Sequence, residues 1–188
     1  VLSVQGNPQQ YPITVLNLYD PNSRAAASMQ LQELVATISA GAFPDCPMKP
    51  DAFMMGGAFQ EGIYFIMRER ATNHILGFAW TVVMSEYIYI HWICTNHTQF
   101  SGVGITLMNA IANVAKQLKL ARIELKTLPG AASFYEKLGF QRTRPNSPIL
   151  RITVTGGMRQ HAKRTRRTKH TKHTNRSLRS RRSGGYIS

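Results

Sequence analysis

Acidic residues are scarce in this chain of 188 residues: nine Asp and Glu stand against 23 Lys and Arg, a formal net charge of +14. The shortage is uneven, because the last acid is Glu136, while residues 158–188 hold 11 of the 23 cations and no acid at all. Cysteine is scarcer still. Cys46 and Cys94 are the only two, and neither sits at a C-x-x-C spacing, so a disulfide-rich scaffold and a cysteine-built metal centre are both excluded. The pair can form at most one disulfide; two reduced thiols in an intracellular protein is the reading adopted. Long apolar runs are missing too. Arg68, Glu69 and Arg70 break the stretch around "GIYFIMRER", and Ser85 and Glu86 break the next, so no segment reaches the roughly 20 apolar residues of a transmembrane helix. The expectation is a protein without a membrane span, nuclear or cytoplasmic.

What remains is ample for one core. Hydrophobic residues make up 43% of the chain and charged residues only 17%, a globular balance, and a chain of this length buries about 70% of its unfolded surface. The composition shift sets the boundaries: a domain over residues 1–155 and a basic tail over 156–188.

Within the domain, "YPITVLNL" reads as a first strand. A helix over 20–40 follows, capped by Asp20 or Asn22, with apolar spacing at Met29, Leu31, Leu34 and Val35. Residues 41–58 hold three prolines and three glycines and read as an irregular loop. "EGIYFIMRER" and "HILGFAWTVVM" form an antiparallel pair through "ATN", and "EYIYIHWICT" is a third strand rich in β-branched and aromatic residues. "VGITLMNAIANVAKQLKL" places Ile105, Leu107, Met108, Ile111, Val114, Ala115 and Leu118 at helical spacing. A short strand ("ARIELKTL"), a short helix ended by Gly139 and a last strand ("SPILRITVT") complete a mixed α/β domain. The strand–loop–helix junction at "TNHTQFSGVG" joins glycines to a helix start. That arrangement suits either a phosphate held on free amides or a plain turn built of small residues; the dinucleotide fingerprint and the P-loop both fail to match it.

Two motifs then stand in order. "QFSGVG" resembles the Gln/Arg-x-x-Gly-x-Gly/Ala signature of the GNAT superfamily of N-acetyltransferases, and "AASFYEKLGF", thirty residues on, resembles that family's Ala-x-x-Phe-Tyr-x-x-x-Gly-Phe segment. The resemblance covers roughly residues 10–155. It implies the GNAT fold, a mixed central sheet with helices on both faces, and acetyl-CoA as co-substrate in a splay between the strands over 86–95 and 121–128. It implies that Ile93, Cys94 and Thr95 pair with the pantetheine arm and that amides from Phe100 through Ser101, Gly102, Val103 and Gly104 to Ile105 hold the pyrophosphate, with Gln99 opening the loop. It implies direct transfer to an amine in a ternary complex, Tyr135 as general acid, and an amide of Ile93 or Cys94 at the oxyanion. Counting from Gln99, the acid used by protein-lysine acetylating members falls on Ile88, so Glu86, two residues earlier, is the candidate base; His91 is an alternative. Leu128 stands where the family often has Asn, and Ser101 where a basic residue or glycine is frequent.

The acceptor side is thinner. Residues 44–58, with Asp45 and Asp51, and the turn at "TRPNSP" are expected to wall an amine site for a protein lysine, an N-terminus or a small amine. The tail, basic residues spaced by Thr, Ser and His over 159–182, suits contact with nucleic-acid phosphates or nuclear targeting. A nucleic-acid-binding protein on a catalytically weak scaffold is the alternative function.

Overall fold

A computed structural model describes residues 11–46, 49, 54–55, 58–96 and 101–154. The elements are β1 (Ile13–Asn17), α1 (Pro21–Ser39), β2 (Met54–Met55), β3 (Ala58–Phe59), β4 (Ile63–Arg68), β5 (Ile75–Val83), β6 (Tyr87–Thr95), α2 (Val103–Gln117), β7 (Arg122–Lys126), α3 (Ala132–Lys137), β8 (Gln141–Arg142) and β9 (Ile149–Thr153). Seven of the strands form one sheet in the order β1-β4-β5-β6-β7-β9-β8. Every described pairing in it is antiparallel except β6 with β7, which run parallel and are joined by α2. Among the described residues no helix is long and apolar enough to cross a membrane.

The sheet is covered on both faces, and its central strands show why they lack alternation. All six residues of β4 are buried. Tyr64 and Ile66 face α1, where they meet Leu31 and Leu34; Ile63, Phe65 and Met67 face the opposite layer, with Leu107 and Ile111 of α2 and Tyr135 of α3. A strand buried on both faces reads as a continuous apolar run. Helix α1 starts as expected: Asp20 caps it by accepting from the Asn22 amide, and Pro21 opens it. It is clamped to the sheet by the buried Arg68, whose guanidinium donates to both carboxylate oxygens of Glu33 at 2.7 and 2.8 Å. That contact holds the Glu33 carboxyl below the usual carboxylate range.

Several expectations are corrected. Met29 is 76% exposed, because at 100° per residue it lies about 200° from both Ala27 and Leu31, which face the sheet. Leu118 is not on the buried stripe of α2 but caps its end, half exposed. The Pro- and Gly-rich segment is not wholly irregular: Met54 pairs with Phe59 and Met55 with Ala58 in a short antiparallel ladder. β8 is a strand that the sequence reading lacked. The two cysteines are joined, Cys46 to Cys94, with Cα atoms 5.6 Å apart; the loop leaving α1 returns to β6 and brings together thiols 48 residues apart in sequence.

One glycine sets how closely α2 approaches the sheet. A Cβ on Gly77, in β5, would lie 2.7 Å from Val103 Cγ1 and 2.9 Å from the Cys94 carbonyl oxygen. One of those neighbours is backbone and cannot turn aside. Gly77→Val is therefore expected to destabilise the fold by about 1–3 kcal/mol or more, read as a lower urea midpoint at unchanged m-value. A variant as stable as the parent would show that α2 does not pack as described.

Candidate active site

β6 is paired along its whole length on one side only. Its parallel ladder with β7 runs from Tyr87↔Arg122 to Ile90↔Leu125 and stops there, while its antiparallel ladder with β5 continues to Thr95. Beyond Ile90 the side facing β7 is open. A register shift accompanies the parting: Trp80 pairs with Trp92 and Thr81 with Ile90, which leaves His91 as an extra residue on β6. Such a bulge bends its strand and increases local twist. The Asn96 amide donates to Leu76 O at 2.9 Å. Alternation along the strand then turns the amides of Cys94 and Trp92 toward β5 and those of Ile93 and Thr95 toward the open side.

A cleft of about 510 Å³ occupies the parting. Residues 89–95 of β6 form one side, Leu125, Lys126, Leu128, Ala131 and Tyr135 the other, and Asp45 and Cys46 a further wall. Four residues singled out in the sequence, Ile93, Cys94, Thr95 and Tyr135, thus meet in one cavity. Leu128, in the position noted for its missing Asn, is half exposed there.

The glycine loop follows the open strand. Gln99 and Phe100 lie outside the described residues, as does Asp51. Ser101 is exposed. Gly102 caps α2 with φ 84° and ψ −6°, a left-handed conformation that suits glycine, and its carbonyl accepts from the Thr106 amide and hydroxyl, both at 3.0 Å. Val103 is buried and Ile105 packs against the same core, so these two offer a ligand main chain rather than side chain. The first-turn amides of α2 have no carbonyl four residues back within the helix. Gly104 is small for a reason the sequence did not show: a Cβ there would sit 3.2 Å from Phe134 Cζ. Phe134 thereby packs α3 against α2, which leaves Tyr135 for the cleft.

Tyr135 is 8% exposed and held between rings, edge-on to Phe134 at 5.0 Å and to Phe140 at 5.8 Å between centroids. Burial pushes its phenol up to about 12, so it keeps its proton at neutral pH. Glu86 is placed elsewhere. It precedes β6, is exposed, and pairs at 2.8 Å with Arg122, which also binds Glu124 at 2.7 Å; it does not line the cleft. His91 does. Its ring stacks on Trp80 at 4.6 Å and meets Tyr89 edge-on at 4.9 Å, and desolvation lowers its proton affinity below the ordinary 6.5. The bulge that presents His91 depends on a register between two strands, which no local pattern announces. Among the described residues no group of three or more His, Cys, Asp or Glu is placed to hold a metal ion.

No curated protein sequence matches this chain. Residues 60–142 match the family model described as Acetyltransferase (GNAT) domain. Among solved structures, Tetrahymena GCN5 superposes with a TM-score of 0.57 at 12% identity, covering 76% of this chain and 96% of that one. A protein of Lactobacillus plantarum described as an N-acetyltransferase gives 0.53 at 18% identity, covering 77% and 98%. N-acetylglutamate synthase from Neisseria gonorrhoeae, solved with coenzyme A and N-acetylglutamate, gives 0.51 at 12%, covering 76% of this chain and 35% of that one. The chain thus shares the fold of these acetyltransferases over about three quarters of its length, and its residues 60–142 match the GNAT domain model.

Proposed function

We propose that the protein is an acetyl-CoA-dependent N-acetyltransferase that moves the acetyl group directly to an amine, on a protein lysine, an N-terminus or a small molecule. The observation that carries this reading is the open edge of β6: the amides of Ile93 and Thr95 face a cleft lined by Tyr135, beside a helix that begins at Gly102. The residues suit the co-substrate. The pantetheine arm carries amides able to pair with an unpaired strand edge, the first turn of α2 offers amides and a positive dipole end to a diphosphate, and the cleft falls within the usual range for ligand sites, about 300–1,000 Å³. Coenzyme A in the N-acetylglutamate synthase neighbour supports the same assignment.

Each step has a residue of this chain. His91, unprotonated at neutral pH, takes the proton from the acceptor's ammonium, since only the neutral amine is a nucleophile. Glu86, engaged with Arg122 outside the cleft, is replaced in that role. The Ile93 amide donates to the oxygen that gains charge as nitrogen attacks the thioester carbonyl. Tyr135 supplies the proton to the departing thiolate and is reprotonated as the amine sheds its second proton. The tail, with 11 cations over 158–188 and no acid, adds sequence-independent contact with nucleic-acid phosphates.

Thiol release from acetyl-CoA over an amine panel is expected to be acceptor-dependent, and Tyr135→Phe to lower kcat by about 10²–10⁴-fold with coenzyme A binding retained by calorimetry. Binding without turnover for any amine would favour the scaffold reading instead. In the parent, kcat/KM is expected to rise with pH through a limb centred below 6.5, the pH at which His91 loses its proton; His91→Gln should lose that limb, and its persistence would remove His91 from the mechanism. In gel shifts the full chain should bind nonspecific duplex DNA with an affinity that falls steeply with salt, while a chain ending at residue 157 should not bind.

A further inference from the structure

A row of rings crosses three neighbouring strands and ends at the cleft. Tyr64 of β4 and Trp80 of β5 are register partners whose rings stack at 6.0 Å and 14°, and Trp80 stacks in turn on His91 of β6 at 4.6 Å and 20°. The indole is fixed before it meets the imidazole. Trp80 is 4% exposed, its Nε1 donates to Glu61 O at 3.3 Å, and Gly62 leaves it room, since a Cβ there would lie 2.5 Å from that nitrogen. His91 is the opposite case. It is exposed, and as the extra residue of the bulge it has no register partner on β5 to define its place. Its ring is met instead by the face of Trp80 and, edge-on at 4.9 Å, by Tyr89, whose hydroxyl reaches the Lys126 main chain across the parting of the strands.

We propose that Trp80 is the positioning residue of the acetyl-transfer site: its indole, aided by Tyr89, holds the His91 imidazole in the orientation that addresses the acceptor's ammonium. The inference rests on the reading of His91 as the base. A base acts only within hydrogen-bond reach of the proton it takes, about 2.6–3.2 Å, and the side chain of an exposed bulge residue otherwise turns among its rotamers. Stacking on a buried, hydrogen-bonded ring removes that freedom. Among the described residues the charged groups that line the cleft with His91 are Asp45, from the loop after α1, and Lys126 of β7. Glu124, the register partner of Tyr89, is engaged by Arg122, and Tyr135 keeps its proton. Replacing the indole leaves these charges in place, so what it changes is the solvation and the orientation of the imidazole.

The test is proton NMR of the full chain over a pH series, with His91→Gln used to identify the His91 signals among those of six histidines, beside steady-state kinetics with acetyl-CoA and the best amine of the panel. In the parent the His91 ring protons are expected upfield of the other histidines, shifted by the indole face, and to titrate below the ordinary 6.5. In Trp80→Leu they should move to the position of a free histidine with a midpoint risen towards 6.5, and kcat should fall about 10–10²-fold while KM for acetyl-CoA changes by less than about twofold. Trp80→Phe keeps a smaller planar ring and is expected between the two; should Trp80→Leu fail to fold, the His91 signals of Trp80→Phe decide. A role in packing alone would lower stability in these variants without moving the His91 titration. His91 signals unshifted in the parent, or identical in parent and variants, would overturn the proposal, as would a kcat that Trp80→Leu leaves intact. No turnover with any amine, or a pH limb that persists in His91→Gln, would instead overturn the proposed function; the NMR readout needs no turnover, so the two failures are distinct.

Discussion

The parting of β6 from β7 after Ile90 and Leu125 is the constraint on which the rest of the site depends. A parallel pair in the middle of a sheet ordinarily continues until both strands end, because every amide left over must find another partner. Here each strand goes on with its outer neighbour, β6 with β5 to Thr95 and β7 with β9 to Lys126, and the inner edges are left facing a cavity. The bulge at His91 supplies the extra twist, and Gly77 lets the start of α2 close in behind the open strand. An unpaired strand edge inside a protein is a binding surface for anything that carries its own amides.

The surrounding packing makes that opening affordable. Two apolar layers cover the sheet, one under α1 and one under α2 and α3, and the buried Arg68 ties α1 to β4 through Glu33. The cleft therefore sits on a frame whose stability does not require its own strands to pair. Its ionisable groups are set apart by environment. Tyr135 is sealed among rings and keeps its proton, whereas His91 is stacked on Trp80 and sheds its own early. Two groups pushed in opposite directions across one cavity suit the acid and base roles proposed for them.

Much of this was legible in the chain. The six buried residues of β4, the helical spacing of α2 and the cap at Asp20 follow from local rules, and the two motifs marked the glycine that caps α2 and the short helix whose Tyr135 lines the cleft. Where structure and sequence part, the cause is geometric. Met29 is apolar, yet the angle between positions 27, 29 and 31 turns it outward. Glu86, reached by counting along a strand, pairs with Arg122 of the next strand and lies outside the cleft lining.

The sequence by itself determined the longer strands and helices, most of the core and the concentration of positive charge in the last thirty residues, because these depend on composition and on periods of two and 3.6 along the chain. Tertiary structure alone decided which side of β6 meets the cleft, that Gly104 lies close against Phe134, that Cys46 meets Cys94, and that His91 rather than Glu86 stands at the opening. Each of these is a meeting of residues distant in sequence, and such meetings are set by register and packing across strands, which no local pattern encodes.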